Sequence, residues 1–345
     1  MSDIIDKKGK LWRQKEVLQK LKGQVWRKQT GRLCPKKYYN VPKTVQIDIT
    51  HNCNLKCAFC YNDSRFGKFR ELSDDAMCAL AKETVGLEVF KVTLSGGEIF
   101  LRKRLLFRLL EIFGKSRTIV TLLTNGTLLD AKTINELLRY KNCIGGIQIS
   151  IDGYDPDVHD KLRGRKGAWE LSLKAAKHLV DAGFDVALAY VITPENHKNF
   201  EEYVKLAFLL NIRTIRSGFV LPLGRGTRPK AQFSKSEYLP IRRNVADVIA
   251  KYSSMINITN SPEIEFYHQF LLLEPISGML ILPNGDVKTG CIHPNIFGNV
   301  ATGGVRMMWD KIKDLHNDRE YVKYFVSLGQ KCEPVLGIKD DTKQI

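Results

Sequence analysis

The sequence predicts an α/β protein built on a parallel β-sheet that is closed or partly closed into a barrel, a partial (β/α)6 arrangement of the TIM type. From residue 45 to about residue 221, short apolar segments rich in β-branched residues alternate with amphipathic helical segments about six times. Strands that are apolar along their whole length need cover on both faces, which favours a parallel sheet flanked by helices.

The predicted elements alternate along the chain. The strands are Val45–Thr50, Val89–Ser95, Ile119–Thr124, Ile144–Ser150, Val186–Ile192 and Thr214–Leu221. The helices are Asp74–Thr84, Lys103–Phe113, Ala131–Arg139, Trp169–Ala182 and Phe200–Leu210, followed by Lys235–Tyr252. After Pro262 the pattern changes, and Asn284-Gly285 between apolar residues is typical of a hairpin turn. We therefore predict three regions: an N-terminal extension (1–44), the partial barrel (45–260) and a small C-terminal module (261–345).

Composition excludes several classes of protein. Of the 345 residues, 43% are hydrophobic and 26% are charged, which is ordinary for a globular chain. No stretch reaches the roughly 18 apolar residues of a membrane span, and the first residues lack the apolar core of a signal peptide. We therefore expect a cytoplasmic protein without a membrane partner. Eight cysteines, three of them within eight residues, fit metal binding in a reducing compartment better than a disulfide framework.

Positive charge is concentrated in the N-terminal extension. Residues 1–44 carry 13 Lys and Arg against 3 Asp and Glu, so they supply +10 of the net charge of +17. Apolar residues at helical spacing predict a basic amphipathic helix, with Trp12 and Trp26 near its apolar side: Leu11, Leu18, Leu21 and Val25. Such a helix either packs on the main domain or binds an acidic partner or substrate segment. Nucleic acid is the third alternative, since no nucleic-acid-binding motif accompanies the charge.

Three cysteines follow the first predicted strand with the spacing C-x3-C-x2-C: Cys53, Cys57 and Cys60. Three thiolates on one loop can bind three irons of a 4Fe-4S cluster and leave the fourth iron open for substrate chemistry. A ferredoxin-like electron carrier would supply a fourth cysteine. A structural zinc site would need a fourth ligand, for which His51 is the nearest candidate.

This cysteine motif, with Phe59 at its aromatic position, resembles the signature of the radical S-adenosylmethionine (SAM) superfamily. The resemblance implies that a 4Fe-4S cluster bound by these cysteines cleaves SAM to a 5′-deoxyadenosyl radical, with an electron donor such as flavodoxin or ferredoxin. It also implies SAM-binding residues after the next strands: Gly96, Gly97 and Glu98 near the amino group, and Asn125, Ser150 and Asp152 near the ribose. Arg163 matches a position that binds the SAM carboxylate in related enzymes, although a surface arginine at a helix end is an alternative reading.

The positions of these motifs support the resemblance. They follow four successive predicted strands, and a βα barrel builds its active site at the C-terminal ends of its strands. The two glycines are expected to let a ligand lie against bare backbone, and Glu98 to meet the SAM ammonium.

The C-terminal module is similar to the start of SPASM or twitch domains, which radical enzymes that modify peptides and proteins carry. A full SPASM domain has seven cysteines, whereas this module has only Cys291 and Cys332. They are candidates for an auxiliary iron–sulfur cluster, for a hydrogen-atom donor, or for structural cysteines. The resemblance thus implies a maturase that crosslinks, epimerises or oxidises a peptide or protein, and the basic N-terminal extension suits a substrate with an acidic leader segment. The alternatives are small-molecule radical chemistry, as in a cofactor-biosynthesis cyclase, and a non-catalytic protein that binds SAM and the cluster.

Overall fold

The computed structural model describes residues 3–5, 11–13, 39–260, 276–318, 320–321 and 323–324. The strands are β1 (Asp3–Ile5), β2 (Leu11–Arg13), β3 (Thr44–Thr50), β4 (Lys91–Gly96), β5 (Ile119–Thr124), β6 (Ile144–Ser150), β7 (Val186–Ile192), β8 (Thr214–Phe219), β9 (Asn257–Asn260), β10 (Gly278–Ile281), β11 (Asp286–Lys288) and β12 (Gly298–Asn299). The helices are α1 (Asp74–Gly86), α2 (Lys103–Gly114), α3 (Ala131–Leu138), α4 (Pro156–Arg163), α5 (Ala168–Asp181), α6 (Phe200–Leu209), α7 (Lys235–Tyr252) and α8 (Val300–Ile312). None of the helices that the structure describes is long and apolar enough to cross a membrane.

Strands β3 to β8 lie side by side in chain order, and every neighbouring pair is parallel. This confirms the predicted α/β fold with its partial (β/α)6 barrel. Residues of one face of β3, Val45, Ile47 and Ile49, are almost fully buried and join the main apolar core. The opposite face carries Gln46 and Asp48. Because side chains alternate across a strand, the apolar face packs under the helices while the polar face points the other way.

The sheet continues beyond the predicted barrel at both edges. Strand β9 pairs with β8 in parallel, and β10 pairs with β3 in parallel, with Met279 opposite Val45. Strands β11 and β12 follow in antiparallel order. The hairpin predicted at Asn284-Gly285 joins β10 to β11, with Gly285 at φ +90°. The C-terminal strands therefore extend the barrel sheet, and the boundary near residue 261 stays a prediction, since residues 261–275 lie outside the described part.

The N-terminal extension differs from the prediction where it is described. Leu11–Arg13 forms a strand, not a helix, and pairs in antiparallel register with Asp3–Ile5. Ile4 and Ile5 are β-branched and favour extended backbone, which offers a pairing partner that the helical spacing did not anticipate. The other positions of the predicted helix, Leu18, Leu21 and Val25, lie outside the described residues.

Helix α4 was not predicted, and it places Arg163 in the site. Asp155 caps its start by accepting a hydrogen bond from the Val158 backbone N–H at 3.0 Å, and Pro156 occupies the first turn. Gly164, at φ +67°, ends the helix directly after Arg163.

Candidate functional site

The three cysteines lie on the loop that leaves the C-terminal end of β3, which we call the cluster loop (residues 51–61). Cys53 and Cys57 are buried, Cys60 is half-buried, and all three thiols are free. The cysteines contact an apolar group made of Leu55, Phe59, Leu162, Ala168, Val220 and Ala231. The site thus contains three thiols that are partly shielded from solvent by apolar side chains.

Two side-chain N–H groups point at these sulfurs. Arg163 Nη1 lies 3.6 Å from Cys57 Sγ, and Asn125 Nδ2 lies 4.0 Å from Cys53 Sγ. Burial raises the pKa of Cys53 to about 12, and it also raises the pKa of Cys57 against the opposing effect of Arg163. The raised pKa values of Cys53 and Cys57 favour their protonated forms, so binding iron must displace these two protons.

This donor set fits a 4Fe-4S cluster, in which cysteine thiolates bind separate irons and N–H donors to sulfur tune the cluster. No three His, Cys, Asp or Glu side chains of the described ranges converge as the ligands of one metal ion would. A cluster spreads its thiolates over several irons and does not require that convergence. His51 is half-buried and packs against Phe69, with 4.2 Å between ring centroids.

The start of the cluster loop is anchored by two residues that sequence reasoning missed. Glu71 Oε1 accepts hydrogen bonds from Thr50 Oγ1 at 2.9 Å and from the His51 backbone N–H at 2.7 Å. Arg102 pairs with Glu71 at 3.5 Å and donates to the Ile49 carbonyl at 2.6 Å. No local motif marks either residue, because their partners are distant in the sequence.

The end of the loop is held by Arg225, which was also missed. Its Nε donates to the Cys57 carbonyl at 2.6 Å, and its other nitrogens donate to Asp63 at 2.6 Å and to the Ser64 carbonyl at 3.0 Å. Gly224, at φ +53°, lies so close that a Cβ there would be 2.5 Å from the Cys60 carbonyl oxygen. The sequence Gly224-Arg225-Gly226 after β8 was the available signal: it resembles a turn made for close backbone approach.

The Gly96-Gly97-Glu98 element lets the end of β4 approach the backbone of β3 and the cluster loop closely. A Cβ at Gly97 would lie 2.0 Å from the Asn52 carbonyl oxygen, and one at Gly96, φ +135°, would lie 2.3 Å from that of Thr50. The space on the Cβ side of the glycines is therefore filled by the backbone of β3 and the cluster loop, and contact of these glycines with SAM stays a prediction. The Gly97 and Glu98 backbone N–H groups donate to these same two carbonyls at 2.7 and 2.8 Å.

Glu98 is fully buried and its carboxylate is already occupied by protein donors. Oε1 accepts from Thr124 Oγ1 at 2.7 Å and from the Phe100 N–H at 3.1 Å, and Oε2 accepts from the Asn125 N–H at 2.8 Å. Burial raises the pKa of Glu98, while these hydrogen bonds oppose the rise. Its evident role is to connect the ends of β4 and β5, and contact with the SAM ammonium stays a prediction.

Asn125 connects the end of β5 to the cluster loop. Its Nδ2 donates to Asn54 Oδ1 at 2.9 Å, and its Oδ1 accepts from the Thr127 hydroxyl at 2.7 Å. Asn54 in turn donates to the Thr127 hydroxyl oxygen at 2.8 Å. This closed triangle orients the Asn125 amide toward Cys53, and Asn54 and Thr127 are further site residues that the sequence did not indicate.

Asp152 and Arg163 form a buried ion pair beyond the end of β6. Asp152 is 0% exposed and Arg163 is 8% exposed, so the alternative of a surface arginine is wrong. Asp152 Oδ1 also accepts from the Val191 N–H at 2.7 Å, and the Arg163 guanidinium lies 5.4 Å from the Phe59 ring centroid. Burial raises the pKa of Asp152, and Arg163 counteracts the rise. Ser150, the last residue of β6, is half-buried and lies two residues before Asp152 in the sequence.

Cys291 follows β11 and packs against the main apolar core. Burial raises the pKa of its thiol; the charge of Lys288 opposes this rise, and that of Asp48 adds to it. Asp48 is 1% exposed, and burial raises its pKa to about 6 although Gln46 donates to it at 2.9 Å. Burial raises the pKa of Tyr61, a residue of the cluster loop, and the charges of Asp48 and Cys291 add to the rise. Cys332 lies outside the described residues.

Comparison with known proteins agrees with this geometry. The family model of the radical SAM superfamily matches residues 47–207. The sporulation killing factor maturation protein SkfB of Bacillus subtilis is 32% identical over 188 residues, 54% of this chain and 45% of that protein. The antilisterial bacteriocin subtilosin biosynthesis protein AlbA of the same organism is 30% identical over 188 residues, 54% of this chain and 42% of that protein. The matched part thus spans less than half of either relative.

Solved structures share the fold at low sequence identity. SuiB of Streptococcus suis bound to S-adenosylmethionine has a TM-score of 0.64 at 18% identity, over 88% of this chain and 73% of that one. The enzyme anSMEcpe with bound AdoMet has a TM-score of 0.63 at 17% identity, over 81% of this chain and 82% of that one. Residues 47–207, which include the three cysteines and most of strands β3 to β7, match the radical SAM superfamily model, and these solved structures share the fold of the chain.

Proposed function

We propose that this radical SAM enzyme binds a 4Fe-4S cluster through Cys53, Cys57 and Cys60 and removes a hydrogen atom from a peptide or protein substrate. When bound, the cluster supplies one electron to SAM, whose carbon–sulfur bond then breaks to give a 5′-deoxyadenosyl radical. The observation that carries the proposal is the group of three free thiols on one loop, with N–H donors directed at two of the sulfurs.

The contribution of the chain is orientation. Asn125 and Arg163 hold N–H groups toward the sulfurs, and Glu71 and Arg225 fix the two ends of the cluster loop. The apolar group around the cysteines keeps water away from a reactive radical. We assign the SAM contacts on the strength of the family motif. They are residues at the ends of β4, β5 and β6, together with Phe59 of the cluster loop and Arg163 at the end of α4: Gly96, Gly97, Glu98, Asn125, Ser150, Asp152, Phe59 and Arg163.

A peptide substrate is favoured by the printed roles of the relatives. AlbA and SkfB are named for bacteriocin biosynthesis and for maturation of a killing factor, and SuiB has been crystallised with a precursor peptide, SuiA. The proposed reaction is one of a class: crosslinking, epimerisation or oxidation of a residue in the peptide.

Anaerobic reconstitution tests the cluster assignment. We expect about four irons per chain and, after reduction with SAM, formation of 5′-deoxyadenosine and methionine. Alanine at Cys53, Cys57 or Cys60 should abolish this cleavage. Cys143→Ala is the matched control, because Cys143 is buried and free but makes its contacts to the Tyr140 and Leu110 carbonyls away from the loop. Undiminished cleavage in a cluster-loop variant would refute the assignment.

The substrate class is tested separately, with small peptides encoded near the gene as probes and mass spectrometry as the readout. A mass change in such a peptide, dependent on SAM and on Cys57, is the expected result. We propose that the basic residues 1–44 bind an acidic leader of this peptide. Deleting residues 1–40 should then weaken peptide binding and leave SAM cleavage without peptide nearly intact. If the segment only covers the barrel, thermal stability and cleavage should fall together.

A further inference from the structure

A basic hollow lies directly beside the cluster loop. It is lined by four cationic side chains and one carboxylate, a net charge of +3: Lys56, Arg65, Arg225, Arg228 and Asp63. Its members come from the cluster loop, from the segment that follows the loop, and from the segment after β8. The fold therefore brings these positive charges together from parts of the chain that are far apart in sequence.

The hollow shares atoms with the cluster loop. Arg225 donates to the Cys57 carbonyl at 2.6 Å, and Lys56 is the residue directly before Cys57. Lys56, which lines the hollow, is exposed, whereas the next residue, Cys57, is buried. A molecule that fills the hollow lies against the backbone that carries the cluster ligands.

Part of the charge in the hollow is not neutralised by the residues that the structure describes. Asp63 is committed to Arg225 and to Arg65, each at 2.6 Å. Lys56 and Arg228 are exposed and form no ion pair with the described residues. Phe66, next to Arg65 in the sequence, is 63% exposed. Cations without a partner among the described residues suit a protein with an acidic surface.

We propose that the basic hollow is the docking surface for an acidic one-electron carrier protein, which delivers the electron that the cluster needs. This inference rests on the proposed function. In the step, one electron passes from a reduced flavin or iron–sulfur group of the carrier to the cluster; the carrier is oxidised, the cluster is reduced, and no covalent bond changes. Such carriers bind through small, transient interfaces, in which charge steers the encounter more than buried area stabilises it.

The position of the hollow favours a carrier over a peptide substrate. A carrier needs only to approach the cluster loop from outside, and the hollow offers exposed charge within one residue of Cys57. A peptide must instead bring a carbon atom to the radical formed at the ends of the strands.

The test uses the reconstituted full chain and purified acidic flavodoxin. Arg228→Glu and the double variant Arg65→Gln/Arg228→Glu reverse or remove charge in the hollow, and Lys177→Glu, on the exposed side of α5, is the control with the same charge change. Calorimetry measures the Kd for flavodoxin at 0.01 M and 0.15 M salt, where the Debye length falls from about 30 to about 8 Å. Deoxyadenosine formation is measured with reduced flavodoxin and, separately, with dithionite, a small reductant that needs no docking.

We expect Arg228→Glu to weaken flavodoxin binding about tenfold or more at low salt, to lower the flavodoxin-driven rate similarly, and to leave the dithionite-driven rate unchanged. Lys177→Glu should change none of these. Equal Kd values for the wild type and both hollow variants would overturn the proposal, as would equal losses with dithionite.

The rival occupant of the hollow is an acidic peptide, and a ten-residue glutamate peptide serves as its probe. If the variants bind this peptide more weakly but bind flavodoxin as the wild type does, the hollow binds acidic peptides and the proposal is wrong. If the wild type makes no deoxyadenosine with dithionite, the proposed function fails, and the Kd values alone still decide on docking.

Discussion

Replacing Arg163 tests whether this residue organises the site as well as the fold. Arg163→Ala removes an ion pair to a carboxylate that is 0% exposed, and it also removes the donor to Cys57 Sγ and the contact with the Phe59 ring. Breaking a buried pair by deleting one partner costs about 3–5 kcal/mol, because the remaining charge stays buried without compensation. We therefore expect the cluster-free variant to lose about 3–5 kcal/mol of unfolding free energy, and the reconstituted variant to bind less iron.

A double-mutant cycle separates the ion pair from simple loss of packing. Asp152→Asn combined with Arg163→Ala leaves no buried charge, so it should be less destabilising than the sum of the two single variants. Anaerobic urea unfolding measures the free energies, and iron analysis measures the cluster. A loss below about 1 kcal/mol for Arg163→Ala, with additive effects in the cycle, would refute a structural role and leave Arg163 free to bind the SAM carboxylate.

Three further outcomes follow from the geometry. Gly97→Ala should prevent iron binding, because its Cβ would lie 2.0 Å from a carbonyl oxygen of the cluster loop; Gly86→Ala, with no atom within 4 Å, is the control and should retain iron. Arg225→Lys should lose iron almost as fully as Arg225→Ala, since an ammonium cannot reproduce the fork that bonds to three partners; full iron content in the lysine variant would contradict this. Burial raises the pKa of Asp48 from 3.8 to about 6, so the folded state binds its proton more tightly and the ionised form destabilises the protein as pH rises through this range. Asp48→Asn should therefore gain stability relative to the wild type between pH 4 and pH 7, by up to about 3 kcal/mol in urea unfolding, and a difference that does not vary with pH would contradict this reasoning.

The barrel was predictable because its signal is local. Strands Ile119–Thr124, Ile144–Ser150 and Val186–Ile192 are found at the predicted residues, since runs of apolar and β-branched side chains mark a buried parallel strand. Helix α4 was missed because its eight residues are mostly polar and show no apolar periodicity, although its Asp-Pro start and glycine end were visible. The pairing of β10 with β3 was not predictable, because the local sequence of a strand does not indicate which edge of a distant sheet it joins.

The site was predictable in its ligands but not in its supports. The spacing of the cysteines identified the loop, whereas its partners, Glu71 and Arg225, are distant from it in the sequence and reach it only in the folded chain. Burial of Arg163 was likewise hidden, because a charged residue at a helix end is usually exposed. It is buried here because Asp152 neutralises it, and only the packing of α4 onto the cluster loop brings the two together.

The supports form one connected chain of contacts, which couples the cluster site to the barrel. Glu98, after β4, binds the backbone of Asn125, after β5, and the Asn125 side chain binds Asn54 of the cluster loop. On the other side, Asp152 joins β7 to Arg163, which reaches Cys57. A ligand that binds only the folded state stabilises that state, so cluster binding and barrel stability should rise and fall together. For this reason, the buried polar residues of the family motif act here first as positioning residues, and changes in them should reduce iron content even where no SAM is present.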